Sequence, residues 1–244
     1  METTIKVENL CKSYTNGMAV DHLNLSIGRG EVFGLLGANG AGKSTTIECI
    51  LGTKKQDSGT VTILGMNPIK ERKKLFERVG VQFQEAHYQE KIMVSELCEV
   101  TASLYHSAAD YRSLIKQFGL LDKLNSVVSE LSGGQKQRLF IVLALIPDPE
   151  VVFLDELTTG LDARARREVW KSLSDLKAKG ITIMLTSHFM DEVEALCDKI
   201  MILKKGKSIF CGTVQEAVAS SPHEKFEDAY LWYTDEEDEG NESI

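Results

Sequence analysis

No stretch of the 244 residues approaches the run of about 18 apolar residues that a membrane-spanning helix requires. The longest candidate, Leu139 to Ile146, is far too short. The opening residues, METTIKVENL, lack the basic-then-apolar layout of a secretion signal. The expectation is a chain that stays in the cytosol and does not cross a bilayer by itself. Disulfide chemistry is missing too. Cys11, Cys49, Cys98, Cys197 and Cys211 are odd in number, scattered and without a CxxC pair. That pattern speaks against a disulfide framework or a zinc site and for buried free thiols in a reducing compartment. Positive charge is not in excess: 36 acids face 28 bases, a net charge of -8. The segment DEEDEGNESI, residues 235–244, holds six of the acids and no base, and without it 30 acids face 28 bases. A nearly neutral body carries no electrostatic footprint for nucleic acid. The tail is expected to be a disordered, solubilising end. The chain has no internal repeat, no low-complexity linker before the tail, and no long heptad run.

The composition that remains is ordinary for a globular protein, 43% hydrophobic and 26% charged. The length suits one domain with a subdomain inserted. Ile5, Val7 and Leu10, then Val20, Leu23, Leu25 and Ile27, read as strands, followed by a turn at Gly28-Arg29-Gly30. Val32 to Leu36 is an apolar run bounded by glycines, which fits a buried strand. A helix is predicted from Lys43, stopping at Gly52. Val61 to Leu64 and Val79 to Phe83 read as further strands. From about 89 to 148 strand signals vanish, and VSELCEVTASLYH and DYRSLIKQFGLL have helical spacing. Alternation then resumes: strand Val151 to Leu154, helix Ala163 to Ala178, strand Ile181 to Leu185, helix Met190 to Cys197, strand Lys199 to Leu203. Such alternation implies an α/β fold with a mostly parallel sheet covered on both faces.

Gly37-Ala38-Asn39-Gly40-Ala41-Gly42-Lys43-Ser44 satisfies GxxxxGK[ST] between a predicted strand and a predicted helix. A loop that turns successive backbone N–H groups inward can cradle phosphate oxygens. Glycine allows the backbone angles and the close approach, and the helix N-terminus adds partial positive charge. Lys43 would face the β and γ phosphates, and Ser44 would offer its hydroxyl to Mg²⁺. Thr45, next on the helix, is counted among the nucleotide contacts. A glycine-rich turn that binds nothing would not need the lysine, the hydroxyl and the strand–helix context together.

Val151 to Leu154 ends in Asp155-Glu156. Ligands gather at the carboxyl ends of parallel strands, so both acids should face the nucleotide. Asp155 suits the metal shell, and Glu156 is placed to polarise a water for attack on the γ phosphate. His188 and Gln84 each follow a predicted strand by the same logic. Alone, an Asp-Glu pair is a solvated strand end, and the phosphate loop in the same chain gives it a function; His188 on this ground is as readily structural as functional, and Gln84 has a weaker independent claim.

The segment between these motifs separates the nucleotide-hydrolysing families. Leu131-Ser132-Gly133-Gly134-Gln135 resembles the LSGGQ signature of ABC ATPases, after a helical insertion and just before the Asp-Glu strand. Thr159-Gly160-Leu161-Asp162 resembles that family's D-loop. Thr186-Ser187-His188 is similar to its switch histidine, Gln84 to its Q-loop glutamine, and Tyr14 to the aromatic residue that stacks on adenine. The likeness runs from about residue 4 to about residue 233. It implies a P-loop NTPase core with a mostly parallel sheet, an N-terminal antiparallel β subdomain and an inserted helical subdomain, an ABC domain over 1–234 and the tail over 235–244.

The resemblance further implies ATP and Mg²⁺ as ligands, Ser44, Gln84 and Asp155 at the metal, and Glu156, His188 and Gln84 in hydrolysis. It also implies a head-to-tail dimer; whether the second cassette is a copy of this chain or a similar one stays open, and the complete motifs here favour the homodimer. Ser132, Gly133, Gly134 and Gln135, with Asp162, would meet the nucleotide held by the other protomer, bringing a helix N-terminus to the γ phosphate. Two positions depart from the family pattern: Leu157 replaces the proline after the glutamate, and Ala38 a proline of the phosphate loop. The first suggests a less rigid loop, and no catalytic group is lost. The stretches AVDHLNLSIGRGEVFGLLGANGAGKST and TSHFMDEVEALCDKIMILKKGK, with FEDAYL, are most similar to cassettes of bacterial ABC-2 exporters of drugs, peptides or polysaccharides. That implies a separate membrane-spanning permease, no nucleic-acid partner, and a peripheral place on the cytoplasmic face of the membrane. A soluble ABC ATPase of the iron–sulfur assembly type is the competing resemblance.

Overall fold

The computed structural model describes residues 2–15, 17–82 and 88–235. The chain enters through β1 (Thr3–Tyr14), β2 (Gly17–Gly28) and β3 (Val32–Gly37), then α1 (Lys43–Ile50) and β4 (Ser58–Ile63). Next come α2 (Arg72–Phe76), β5 (Val79–Gln82), α3 (Val94–Ala102), α4 (Tyr111–Gln117) and α5 (Gly133–Leu145). The chain continues with β6 (Val151–Asp155), α6 (Ala163–Ala178), β7 (Thr182–Thr186), α7 (Met190–Leu196) and β8 (Lys199–Lys204). It closes with β9 (Lys207–Gly212), α8 (Val214–Ala219) and α9 (Phe226–Thr234).

Alternating apolar positions put one face of each early strand in water and one in the core. Ile5, Val7 and Leu10 of β1 are buried while Lys6 and Glu8 are exposed. These strands form an antiparallel sheet in the order β2-β1-β4. The second sheet runs β5-β6-β7-β3-β8-β9. Its first five strands are parallel, and β9 closes the edge antiparallel to β8. Every residue of β3, β6 and β7 is buried, as expected for parallel strands covered on both faces.

Successive residues of those strands feed two core layers. Phe33, Phe153 and Met184 pack under the antiparallel sheet and α1. Val32, Val152, Leu154, Ile183 and Leu185 pack against the helices that follow β5 and β6. Between β5 and β6 the described residues form helices and two short 3-10 turns, Leu121–Lys123 and Val128–Glu130.

Several sequence expectations need amending. β4 stops at Ile63, and Leu64 turns away with φ 52°. Short α2 escaped the periodicity reading, as did α8 and α9 beyond the last predicted strand. So did β9, an exposed edge strand without a clean alternation. Cys11, Cys49 and Cys98 are buried thiols, but Cys197 is half-buried and Cys211 lies exposed on that edge strand, contrary to the expectation that all five are interior. Burial pushes Cys98 up to about 12. Phe83 and Gln84, and residues 236–244 of the acidic tail, lie outside the described residues. No helix among the described residues is long and apolar enough to cross a membrane.

Candidate functional site

Three neighbouring strands end side by side. Leu35 of β3 stands opposite Thr186 of β7, and Thr186 opposite Asp155 of β6. The loops that leave these strands therefore meet at one sheet edge, where ligands of parallel α/β sheets gather. The loop after β3 carries Gly37 to Gly42, the loop after β6 begins at Glu156, and the loop after β7 carries Ser187 and His188.

The phosphate loop needs glycine at its last turn. Gly42 caps α1 with φ 104°, a left-handed conformation, and a Cβ there would stand 2.2 Å from the Ala19 carbonyl oxygen. No side chain caps α1 and no acid occupies its own first turn, so the N–H groups of that turn are not capped from within the helix. Lys43 is 6% exposed, and its ammonium donates to the carbonyls of Gly37 at 2.7 Å and Ala38 at 3.2 Å. Burial lowers its pKa, and the charges of Glu156 and Asp155 oppose the shift. A cation held this way gains from an anion brought beside it, and the loop with Lys43 fits a phosphate chain.

Asp155 is buried, and its Oδ1 accepts the Thr186 hydroxyl at 2.6 Å. Glu156 takes a left-handed φ of 50°, which turns its side chain away from the strand direction. Its Oε1 lies 3.3 Å from His188 Nδ1, and His188 Nε2 lies 3.3 Å from the Thr159 hydroxyl. The carboxylate is 12% exposed and the imidazole 39%. Leu157, which stands where the family pattern has proline, packs its side chain into the helix-side core. Ser44 and Asp155 offer hydroxyl and carboxylate oxygens, the donor set of a hard divalent cation such as Mg²⁺.

Lys43, Ser44, Glu156 and His188 line one open cleft of about 540 Å³. Tyr14 and Ala19 form one wall, Asn39, Gly40 and Gly42 to Thr45 the floor, and Glu156 with His188 the far side. Tyr14 is 44% exposed, with the Lys12 and Lys54 ammonium groups 5.5 Å and 5.7 Å from its ring centroid. Ala38 and Ala41 line an adjoining pocket behind the loop with Lys204 and Lys205. Ala19 was not among the sequence candidates, and a lone alanine in a strand carries no signal.

The signature residues lie elsewhere on the chain. Ser132 caps α5 reciprocally: its Oγ accepts Gln135 N–H at 3.3 Å, and its own N–H donates to Gln135 Oε1 at 2.9 Å. Asp162 caps α6, accepting from the N–H groups of Arg164 and Ala165 at 2.9 Å and 2.8 Å. Ser132, Gly133, Gly134 and Asp162 line a second open cleft with Gly160 and Leu161. The structure thus gathers the loop, Glu156 and His188 in one place and the signature with the D-loop in another.

The profile of the ABC transporter family matches residues 20–159, more than half of the chain. The chain belongs to the ABC transporter family. It is an ATP-binding cassette of that family, and the solved cassettes share its fold. One structure of an ATP-binding subunit of an ABC transporter superposes with a TM-score of 0.85 at 26% identity, covering 95% of this chain and 99% of that one. A dimeric post-hydrolysis cassette, MJ0796 bound to ADP and Pi, gives 0.77 at 25% identity over 86% and 98%. Among curated relatives, the Nod factor export ATP-binding protein I of Mesorhizobium japonicum is 42% identical over 88% of the cassette and 66% of its own length. The probable multidrug ABC transporter ATP-binding protein YbhF of Escherichia coli is 35% identical over 92% of the cassette and 39% of its own length. The cassette therefore spans about two thirds of the first relative and well under half of the second.

Proposed function

We propose that the cassette binds and hydrolyses ATP in the cleft between its phosphate loop and the Glu156–His188 pair, and that it drives export through a separate membrane subunit. The observation that carries this reading is the convergence of Lys43, Glu156 and His188 on one cleft from three adjacent strand ends. Tyr14 offers the base an aromatic face. The loop amides and the start of α1 hold the phosphates, and Lys43 exchanges its carbonyl partners for their oxygens. Ser44 and Asp155, with Gln84, would hold Mg²⁺, which neutralises charge on the β and γ phosphates when bound. Glu156 holds the attacking water and accepts its proton as the bond to the γ phosphorus forms. The bond from that phosphorus to the β–γ bridging oxygen breaks, leaving ADP and phosphate. His188 fixes the Glu156 carboxylate and reaches toward the transferred group.

The same reading makes the working unit a pair of cassettes with ATP between them, the signature cleft of one closing on the phosphate cleft of the other. The dimeric form of MJ0796 supports it. Two similar proteins bear the words export and multidrug in their names, which supports an exporter over soluble assembly work. The cassette would then sit on the cytoplasmic face of the membrane through its permease.

The test is ATP turnover and nucleotide affinity in two variants. Lys43→Ala is expected to weaken ATP binding. Glu156→Gln should keep binding while turnover falls by roughly 10² to 10⁴. Turnover equal to wild type in Glu156→Gln would remove the assignment. Tagged Glu156→Gln with ATP should also capture a polytopic membrane protein from detergent-solubilised membranes. Capture of soluble scaffold proteins alone would overturn the transport reading.

A further inference from the structure

The helix after His188 opens with three acid-bearing positions out of five, Asp191, Glu192 and Glu194. Only one of them is interior. Glu192 is 2% exposed, on the buried side of α7. A carboxylate removed from water costs several kcal/mol in order of magnitude unless hydrogen bonds replace the lost hydration. Here they do. Trp170 Nε1 of α6 donates to Oε1 at 3.0 Å, and the Ser187 hydroxyl donates to Oε2. Thr158, two residues beyond Glu156, faces the same carboxyl, and Arg166 adds a favourable charge.

The partners matter because of where they stand in the chain. Ser187 immediately precedes His188, and its Oγ also accepts the N–H of Phe189, immediately after His188, at 3.0 Å. One hydroxyl therefore ties both flanks of the histidine, and that hydroxyl hangs on Glu192. The Phe189 ring lies 4.6 Å from the Arg166 guanidinium of α6, which holds the same turn from its other side. An apolar side chain would fill the space without the desolvation cost, but it could not hold Ser187.

We propose that Glu192 is a positioning residue for ATP hydrolysis: its buried carboxylate fixes Ser187 and so sets the His188 ring against Glu156. This rests on the reading of Glu156 and His188 as the hydrolytic pair. Burial raises the Glu192 pKa, and the Ser187 and Trp170 hydrogen bonds, with the Arg166 charge, offset part of the rise. That balance is what a group kept for its bonds and not for packing shows. The carboxylate hydrogen bonds of Glu192 run to Trp170 and Ser187, neither of which lines the nucleotide cleft, so its effect should appear in turnover and not in affinity.

The experiment is a double-mutant cycle on ATP turnover with Glu192→Ala, His188→Ala and the two together, each checked for folding by circular dichroism. Glu192→Ala is expected to lower kcat about tenfold with the KM for ATP changed less than about twofold. Glu192→Gln, which keeps an acceptor for Trp170 and a polar group for Ser187, should recover part of the loss. In the His188→Ala background the Glu192 substitution should add no further loss, because residues that act through one another are not additive. Losses that multiply, or wild-type kcat in Glu192→Ala, would overturn the proposal and leave the hydrolytic pair standing. Wild-type turnover in His188→Ala would instead overturn the pair, and this proposal with it. Should Glu192→Ala not fold, Ser187→Ala carries the same cycle, since it removes the tie to His188 and leaves the Trp170 bond in place.

Discussion

The Thr186 hydroxyl donates to Asp155 Oδ1 at 2.6 Å, across the two strands that carry the acidic end of the site. The Thr186 hydroxyl oxygen in turn accepts the backbone N–H of Glu156 at 2.9 Å. One buried hydroxyl thus fixes the orientation of the Asp155 carboxylate and the left-handed turn at Glu156. Thr186→Val keeps the volume and strips both bonds. It is expected to cost about 1–3 kcal/mol, the desolvation of partners left unpaired in the interior. It should also lower ATP turnover, whereas Thr186→Ser retains both. Urea unfolding and a phosphate-release assay measure the two effects.

The phosphate loop offers a contrast between two glycines. A Cβ on Gly42 would collide with the Ala19 carbonyl, whereas a Cβ on Gly40, at φ 81°, meets nothing within 4 Å. Gly42→Ala is therefore expected to abolish ATP binding, because the loop must move to relieve the contact. Gly40→Ala carries only backbone strain of about 1–3 kcal/mol and should weaken binding less. Titration calorimetry with ATP ranks the two.

Glu192 also has a stability signature. Its folded pKa is raised above the ordinary value of 4.5. The folded chain then holds the proton after the unfolded chain has lost it, so stability falls as pH rises through that window. The penalty is absent below the unfolded value and complete above the raised folded value. Glu192→Gln, which carries no charge, should raise Tm at about pH 7.5, and the gain should shrink as pH drops toward about 4.5. A gain that stays constant with pH would show that the carboxylate charge is not its source. Higher stability joined to lower turnover is the usual balance at a site held in a costly arrangement.

Ser132 separates cap from interface. Ser132→Ala removes the reciprocal cap of α5 and should cost about 1 kcal/mol. If the signature closes on a second cassette's nucleotide, the same change also weakens the ATP-dependent dimer of Glu156→Gln. Size-exclusion chromatography with and without ATP reads the dimer. Thermal unfolding reads the cap in the nucleotide-free protein.

Local pattern made much of this legible. The glycine spacing before Lys43, the apolar run that ends in Asp155-Glu156, and the Ser132-to-Gln135 cap are each written in consecutive residues, because each is a turn or a helix end whose backbone demands those side chains. The 3.6-residue period of Ala163–Ala178 marks that helix with the bounds it has in the fold. The period failed at β9 and α2, which are short and lie at the surface, where burial does not enforce a pattern. In the sequence Leu157 shows only as a missing proline, since its burial comes from helices far along the chain.

The sequence by itself determined the phosphate loop, the acidic strand end, the signature and the alternation that makes a parallel sheet. Those depend on neighbours a few residues apart. Only the tertiary structure decided that Leu35, Thr186 and Asp155 stand in register, which brings Lys43, Glu156 and His188 to one cleft and leaves Ser132 in another. It alone placed Glu192 inside, bonded to Trp170, 22 residues back in the chain. Strand order and the interior place of a carboxylate arise from packing between distant segments, and no local spacing records which segments those are.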